Sequence, residues 1–383
     1  MKVYLDNAAT TPIDDRVIEL MARILKENYG NPSSIHSHGR KSRTLIEKSR
    51  KKVSNALGVG PGEIFFTSGG TEADNMALNC AINDLGCNHI ITSPLEHHAV
   101  LHTSEHIGQC NSKVKVSLVG LTENGHIDTD NLKAILEENK DRKTIVSLMH
   151  ANNEIGNMID LSEIGGICKE YAAYFHTDTV QTIGHWDVKP KEHGVHFLAA
   201  SAHKFNGPKG SGFIFIDDSI QVKPFIHGGA QERNMRGGTE NLVGIVGLAR
   251  SLELSLAEKD EVKANIMAMR NHFISRLQSE IEGVSFNGDY KGRTNYIPLN
   301  VAFPNHKDSD MLLFNLDIAG ISASGGSACS SGSNIGSHVL QAIKADPNKT
   351  SIRFSIGRFN TIEEIDYTVD KLVEIVVGKP AAV

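Results

Sequence analysis

The sequence predicts an α/β protein: a mostly parallel sheet with helices on both faces, followed by a smaller α+β domain. Between residues 63 and 216, short runs rich in apolar and β-branched residues alternate with longer stretches of helical pattern. A long helical pattern then covers 240–282, and short strands and helices are mixed after it. Strands that alternate with helices at this spacing are typical of parallel sheets covered on both faces.

The local patterns define the individual elements. The strands of the sheet are predicted at 63–67, 89–92, 113–119, 144–149, 173–177, 197–201 and 212–216. The helices between them are predicted at 72–83, 97–107, 129–138 and 161–172. The pattern at 240–282 fits one bent helix or two helices joined near residue 259. The later elements are strands at 294–302 and 352–355 and helices at 309–318, 338–344 and 362–377.

These elements imply three parts of the chain. Residues 1–15 are expected to form an N-terminal segment that packs with the small domain. Residues 16–257 form the large α/β domain and residues 258–383 the small one. No repeat or long low-complexity linker separates the two domains, so we expect them to pack directly.

Composition argues against nucleic acid and membranes as direct partners. The 383 residues include 39 Lys and Arg against 45 Asp and Glu, a net charge of −6. No apolar run approaches the ~18 residues of a membrane span, and the first residues lack a signal-peptide stretch. A basic helix predicted at 40–52 is interpreted as a solvated face, with an RNA or anion contact as the alternative. We expect a cytoplasmic protein.

The cysteines indicate a reducing compartment. The chain has five, an odd number, scattered and without a C-x-x-C pair, which fits neither a disulfide framework nor a zinc site. Four of them are interpreted as small buried apolar residues: Cys80, Cys87, Cys110 and Cys168. A metal pair formed by His98 and His102 is disfavoured, because no H-E-x-x-H pattern accompanies it. We therefore expect no metal site.

A candidate anion-binding turn lies at 68–72, where Ser-Gly-Gly-Thr-Glu follows an apolar strand and opens a helix. The glycines, Gly70 among them, allow a tight turn, and the first N–H groups of a helix have no partner within it. Thr71 adds a hydroxyl donor. We call residues 68–72 the phosphate turn. Alone, it could equally be a simple helix start.

Two further strand ends carry polar residues. Lys204 follows the strand at 197–201, with Ser201 and His203 able to donate to a phosphate. Asp178 follows the strand before it, with Gln181 close by. In α/β folds ligands bind at the carboxyl ends of strands. A lysine that can form a Schiff base, a carboxylate for a pyridine nitrogen and a phosphate turn together predict a pyridoxal phosphate pocket.

The chain resembles the cysteine desulfurases of the NifS/IscS-like group, which are fold-type I pyridoxal-phosphate enzymes related to the class V aminotransferases. The resemblance runs nearly end to end. It rests on YLDNAATTP at 4–12, YGNPSS at 29–34, FTSGGTE at 66–72, EH at 96–97, HANNEIG at 150–156, HK at 203–204, MRGGT at 235–239, SAC at 327–329 and SIRFS at 351–355.

The resemblance implies a role for each matching residue. Lys204 would carry the cofactor and shuttle the substrate Cα proton, Asp178 would pair with the ring nitrogen, and His97 would stack on the ring and assist proton transfer. Gln181 and Asn153 would contact the phenolic side of the ring. The phosphate would be held by Gly70, Thr71, Ser201, His203 and, from the neighbouring subunit of a homodimer, Thr239.

The resemblance also implies the substrate and the reaction. Arg353, with Asn153 and Asn7, would bind the carboxylate of L-cysteine. Cys329 would take the sulfur as a persulfide, leaving L-alanine, and pass it to an acceptor protein of iron–sulfur cluster assembly or tRNA thiolation. Ten of the fourteen residues from 324 to 337 are Gly or Ser, which predicts a mobile surface loop around this thiol.

Several alternatives stay open. The chain could be a selenocysteine lyase or another aminotransferase-type enzyme on the same scaffold, or a sulfur-relay protein without the cofactor. The intact Lys204, Asp178 and His97 argue against the last. The 24-residue stretch from Cys329 to Arg353 is a few residues shorter than in the best-known members, so the loop could be less free or docked differently.

Overall fold

The computed structural model describes residues 1–325 and 336–378. Cys329 and most of the predicted Gly/Ser-rich loop lie outside the described residues. Among the described helices, none has both the length and the apolar character that a membrane crossing requires.

The centre of the molecule is a seven-stranded sheet with the strand order β2-β8-β7-β6-β5-β3-β4. A three-stranded sheet, β12-β10-β9, and the short pair β1-β11 lie in the rest of the fold. The strands are β1 (Val3–Tyr4), β2 (Ile64–Thr67), β3 (His89–Thr92), β4 (Lys115–Leu118), β5 (Thr144–Ser147), β6 (Tyr174–Asp178), β7 (Phe197–Ser201), β8 (Gly212–Ile216), β9 (Ser285–Asn287), β10 (Pro298–Phe303), β11 (Ile321–Ser322) and β12 (Thr350–Ser355).

The predicted mostly parallel sheet is confirmed. β4, β3, β5, β6 and β7 pair in parallel, whereas β8 is antiparallel to both of its neighbours, β7 and β2. The turn from β7 to β8 is short, and short connections join antiparallel strands. Successive residues such as Ile90 and Ile91 belong to apolar clusters on opposite faces of the sheet. Both faces are therefore covered, as parallel sheets require.

Helices cover these faces and surround the second sheet. They are α1 (Asp15–Glu27), α2 (Ser37–Leu57), α3 (Gly70–Asn83), α4 (His98–Cys110), α5 (Thr129–Glu138), α6 (Leu161–Glu170), α7 (Leu242–Ala257), α8 (Lys259–Glu280), α9 (Leu312–Ile318), α10 (His338–Ala342) and α11 (Ile362–Val377). The long pattern at 240–282 forms two helices that meet at Glu258. α1 was not predicted from the sequence, although Asp14 caps it by accepting a hydrogen bond from the Arg16 N–H.

The three-stranded antiparallel sheet has its own apolar core, in which the Phe273 and Phe303 rings pack edge-on against Phe354. The first residues of the chain join this core. Val3 pairs with Ile321, and both are buried in it. The division of the chain after residue 257 stays a prediction.

A buried ion pair fixes a turn between β8 and α7. Arg50 makes two hydrogen bonds to the Glu232 carboxylate, at 2.7 and 2.9 Å, and both side chains are almost fully buried. Glu232 also accepts the N–H of Phe66 at the sheet edge. Glu232, Arg233 and Asn234 have φ of 44°, 57° and 67°, a left-handed conformation that non-glycine residues rarely adopt. We infer that the ion pair holds this strained turn.

Removal of one partner of this pair should destabilise the protein strongly. Glu232→Ala removes the buried counter-ion of Arg50 and leaves only the half-exposed Glu47, which contacts Arg50 Nε at 3.3 Å. The cost should be about 3 kcal/mol, at the lower end of the range for a broken buried ion pair. Lys52→Ala, which breaks an exposed pair with Glu253, should cost less than about 1 kcal/mol. Urea unfolding followed by circular dichroism measures both, and equal effects would contradict the assigned role of the pair.

Candidate active site

A cavity of about 230 Å³ lies at the carboxyl edge of the large sheet. The segments that follow β2, β3, β5, β6 and β7 all contribute to it, because these strands run in the same direction. Arg353 of β12 reaches it from the second sheet. The lining residues are Ala8, Ala9, Gly70, Thr71, Asp74, His97, Met149, Asn153, Asp178, Val180, Gln181, Ser201, His203, Lys204 and Arg353.

The phosphate turn forms one end of the cavity. Gly69 has φ 157° and ψ −175°, a conformation essentially restricted to glycine, and α3 begins at the next residue. A Cβ at Gly70 would lie 2.6 Å from Val180 Cγ2, so no larger residue fits. The first N–H groups of α3 have no acceptor within the helix, and Ser201 and His203 line the same cavity. This donor set suits a phosphate.

Lys204 lies in a short 3₁₀ turn, Ala202–Lys204, directly after β7. Its Nζ donates to the carbonyl oxygens of Ala8 and Ala9 at 2.6 and 2.8 Å. Its own carbonyl accepts a hydrogen bond from His185 Nε2 at 3.0 Å. The N-terminal segment therefore holds the amine at the cavity wall.

Asp178 is the last residue of β6 and is buried. One of its oxygens accepts the N–H of Val180 at 2.8 Å. Burial raises the pKa of Asp178 to about 6, although the Val180 N–H and the Lys204 charge favour the carboxylate. Gln181, one turn later, donates to the carbonyl of Ala8. An ionisable carboxyl group thus faces the cavity near the amine of Lys204.

His97 caps α4, and its Nδ1 accepts the N–H of Ala99 at 3.1 Å. The proton of the neutral ring is therefore on Nε2. Burial, and to a lesser degree the positive charge of Lys204, lowers the pKa of His97 to about 4. At neutral pH the cavity accordingly contains an uncharged imidazole.

Arg353 is 1% exposed and holds its guanidinium in a fixed position. Its Nη2 lies 2.8 Å from Asp6 Oδ1, and its Nη1 donates to the carbonyl of Asn153 at 3.1 Å. Its buried Nε has no hydrogen-bond partner among the described residues. The Arg353 side chain lines the cavity, and a guanidinium binds carboxylates through paired hydrogen bonds.

Two of the predicted site residues that the structure describes, Asn7 and Thr239, are not part of this lining. The Asn7 side-chain nitrogen donates to the carbonyls of Tyr4 and Ser355, and the side chain lines a neighbouring pocket behind Lys204. Thr239 is exposed on the loop before α7. Cys329 lies outside the described residues.

One ionisable residue of the cavity, Asp74, was not predicted from the sequence. Asp74 lies four residues after Gly70 on α3, so the two share a helix face. That spacing was the available signal. Ala8, Ala9, Met149 and Val180 were also missed, because small and apolar wall residues carry no recognisable pattern. Cys110 is exposed, so its predicted burial was wrong.

Comparisons with known proteins agree with this geometry. The family described as aminotransferase class-V matches residues 3–368. This chain belongs to that family. It is 44% identical to cysteine desulfurase IscS of Dictyoglomus turgidum, over 98% of this chain and 94% of the relative. A solved NifS-like protein superposes with a TM-score of 0.90 at 36% identity, covering 99% of this chain and all of the other.

A further solved structure holds a small molecule. A protein described as SspA in complex with cysteine matches with a TM-score of 0.80 at 29% identity, covering 94% of this chain and all of the other. The cofactor of the aminotransferase class-V family is pyridoxal 5′-phosphate. The chemistry of the cavity fits it, with an amine, a buried carboxyl group and a cluster of anion donors in one place.

The charge of Lys204 should be detectable at His97. In the cofactor-free protein, Lys204→Ala should raise the pKa of His97 above about 4 but leave it below 6.5, because burial has the larger effect. NMR titration of the imidazole signals measures the change. His89, whose pKa is lowered to about 4 by burial away from Lys204, should not respond and is the matched control. An unchanged pKa of His97 would contradict the assigned effect of the Lys204 charge.

Proposed function

We propose that this protein is a pyridoxal-phosphate-dependent cysteine desulfurase, which converts L-cysteine to L-alanine and a persulfide. One observation carries the proposal: Lys204, Asp178 and the phosphate turn lie in one cavity with a buried arginine. Membership of the aminotransferase class-V family and 44% identity to a cysteine desulfurase support it. The solved complex of a related protein with cysteine supports the substrate.

Residues from five strand ends would hold the cofactor. The N–H groups of Gly70 and Thr71, together with Ser201 and His203, would hold the phosphate. When bound, the cofactor supplies an electron-accepting ring to the substrate Cα. The remaining contacts are assigned to Asp178 at the ring nitrogen, Gln181 and Asn153 at the phenolic side, and His97 over the ring.

Lys204 and His97 would handle the protons. The Lys204 amine is the base for the substrate Cα proton. His97 is neutral at physiological pH, so its Nε2–H can donate without adding a positive charge beside the lysine.

Arg353 would bind the substrate carboxylate. It lines the cavity, and its contacts with Asp6 and the Asn153 carbonyl hold its two terminal nitrogens in place. A planar guanidinium that is already oriented loses little entropy when it binds a carboxylate. Asn153 is positioned to assist, and Asn7 supports the same region through its backbone contacts.

Cys329 would accept the sulfur. Its thiolate attacks the substrate Sγ, an S–S bond forms, and the Cβ–Sγ bond breaks. The electron pair of the broken bond stays on Cβ, which takes a proton to become the methyl group of alanine. The persulfide is then available to an acceptor protein, such as an iron–sulfur scaffold or a tRNA-thiolation relay.

We further propose a cytoplasmic homodimer in which Thr239 of each subunit contacts the phosphate in the other. Thr239 is exposed, as a residue that reaches a partner must be. Arg236, three residues earlier, is paired through two hydrogen bonds with Glu72 of the phosphate turn. The two phosphate sites would therefore be linked through one short loop.

Cys329→Ala should abolish the release of sulfide from L-cysteine while the protein stays yellow. The wild-type protein should give alanine and sulfide in equal amounts under a reducing thiol. Colorimetric sulfide and chromatographic alanine assays measure both.

Cys110→Ala is the matched control, because this exposed thiol lies at the end of α4 and does not line the cavity. It should keep the wild-type rate. Full sulfide release by Cys329→Ala would remove this thiol from the mechanism, and activity on selenocysteine alone would favour a lyase.

Lys204→Ala should lose the covalently attached cofactor. Borohydride reduction followed by peptide mapping should place a pyridoxyl group on Lys204 in the wild type. Lys209→Ala, a change of an exposed lysine five residues away, should keep the adduct. A reduced wild-type protein without this adduct would overturn the proposed function.

A further inference from the structure

A second carboxyl group faces the cavity that contains Asp178. Asp74 is 1% exposed and lines the same cavity from the first turns of α3. Its Oδ1 has no hydrogen-bond donor among the described residues. His176 Nε2 lies 3.3 Å from this oxygen, but the two atoms do not have the geometry of a hydrogen bond. The proposed reaction gives Asp74 no role.

The imidazole that contacts Asp74 carries no positive charge at neutral pH. His176 is fully buried, which lowers its pKa to about 3, and its Nδ1 lies 2.8 Å from Ser147 Oγ. β2, β7 and β8, which pack against α3, have no ionisable side chain. α4 contacts α3 beside Asp74 through Thr103 Oγ1, which donates to Asn75. The ionisable residues of α4 are His98, His102, Glu105, His106 and Cys110.

Two other carboxyl groups act on Asp74 instead. Asp178 belongs to β6, which also packs against α3. Glu96, before α4, is buried and accepts hydrogen bonds from Ser93 Oγ and the Met149 N–H. Burial raises the pKa of Asp74 well above its usual value, and the carboxyl groups of Asp178 and Glu96 add to this shift. Burial also raises the pKa of Glu96 to about 8, so Asp178 is the neighbour that is charged at neutral pH.

Asp178 and Asp74 differ in what stabilises their charged forms. Asp178 accepts a backbone N–H and interacts with the charge of Lys204, whereas Asp74 Oδ1 has neither. Two carboxylates that share a buried site do not both ionise, and the proton stays on the less stabilised one. That group is Asp74.

We propose that Asp74 is a positioning residue that carries a proton, so that Asp178 is the ionised one of these two carboxyl groups and pairs with the cofactor ring nitrogen. The inference rests on the proposed function for its cofactor, but the proton on Asp74 is a property of the chain itself. If Asp74 were also ionised, two carboxylates would attract the proton on the ring nitrogen. With Asp74 neutral, only the Asp178 carboxylate attracts that proton.

Asp74→Asn tests the charge state, because it replaces a carboxyl group by a neutral group of the same shape. The infrared difference spectrum between wild type and variant at pH 7 should show the loss of the carbonyl band of a protonated carboxylic acid. In the holoenzyme, the proton affinity of the bound chromophore, from a visible absorbance titration, should change by less than about threefold.

Asp178→Asn is the matched control and should change this affinity by about tenfold or more, since it removes the ionised partner. Two results would overturn the proposal. One is a difference spectrum that shows the loss of a carboxylate band instead. The other is a change of tenfold or more in the proton affinity of the chromophore bound to the Asp74→Asn variant.

Wild-type protein labelled with ¹³C at the aspartate carboxyl carbons gives the same information without a substitution, should the variant fold poorly. The Asp74 carbon should have the chemical shift of a protonated acid at pH 7 in the cofactor-free protein, and the shift of an ionised carboxylate would overturn the proposal. A missing pyridoxyl adduct at Lys204 would refute the proposed function but not the proposed proton on Asp74.

Discussion

The direction of the strands is the constraint on which the site depends. β2, β3, β5, β6 and β7 run the same way, so the segments that follow them meet at one edge of the sheet. Residues as far apart as Gly70 and Lys204 therefore share one cavity. The antiparallel β8 does not interrupt this edge, because it supplies no residue of the lining.

The N-terminal segment joins the two sheets at the cavity. Its carbonyls at Ala8 and Ala9 accept hydrogen bonds from Lys204, and Asp6 pairs with Arg353. These contacts fix the position of the Lys204 amine relative to the Arg353 guanidinium. The cavity is thus built from the large sheet, the second sheet and the first residues of the chain together.

Burial sets the charges inside the cavity. An imidazole that loses water becomes neutral, as at His97, and a carboxyl group that loses water holds its proton more strongly, as at Asp178. Partners of opposite charge, such as Asp6 beside Arg353, oppose this effect of burial. The chemistry available to the site follows from which polar groups find such partners.

The sequence alone determined the alternation of strands and helices, and with it the parallel sheet. It also identified Lys204, Asp178 and the phosphate turn, because each follows a strand with a recognisable polar pattern. The tertiary structure decided what local patterns do not contain. The wall contributed by Ala8 and Ala9, the counter-ion at Asp6 and the buried carboxyl of Asp74 depend on contacts between distant segments. The free energies of these contacts come from burial and from hydrogen-bond and ion-pair partners. The chain has neither before it folds.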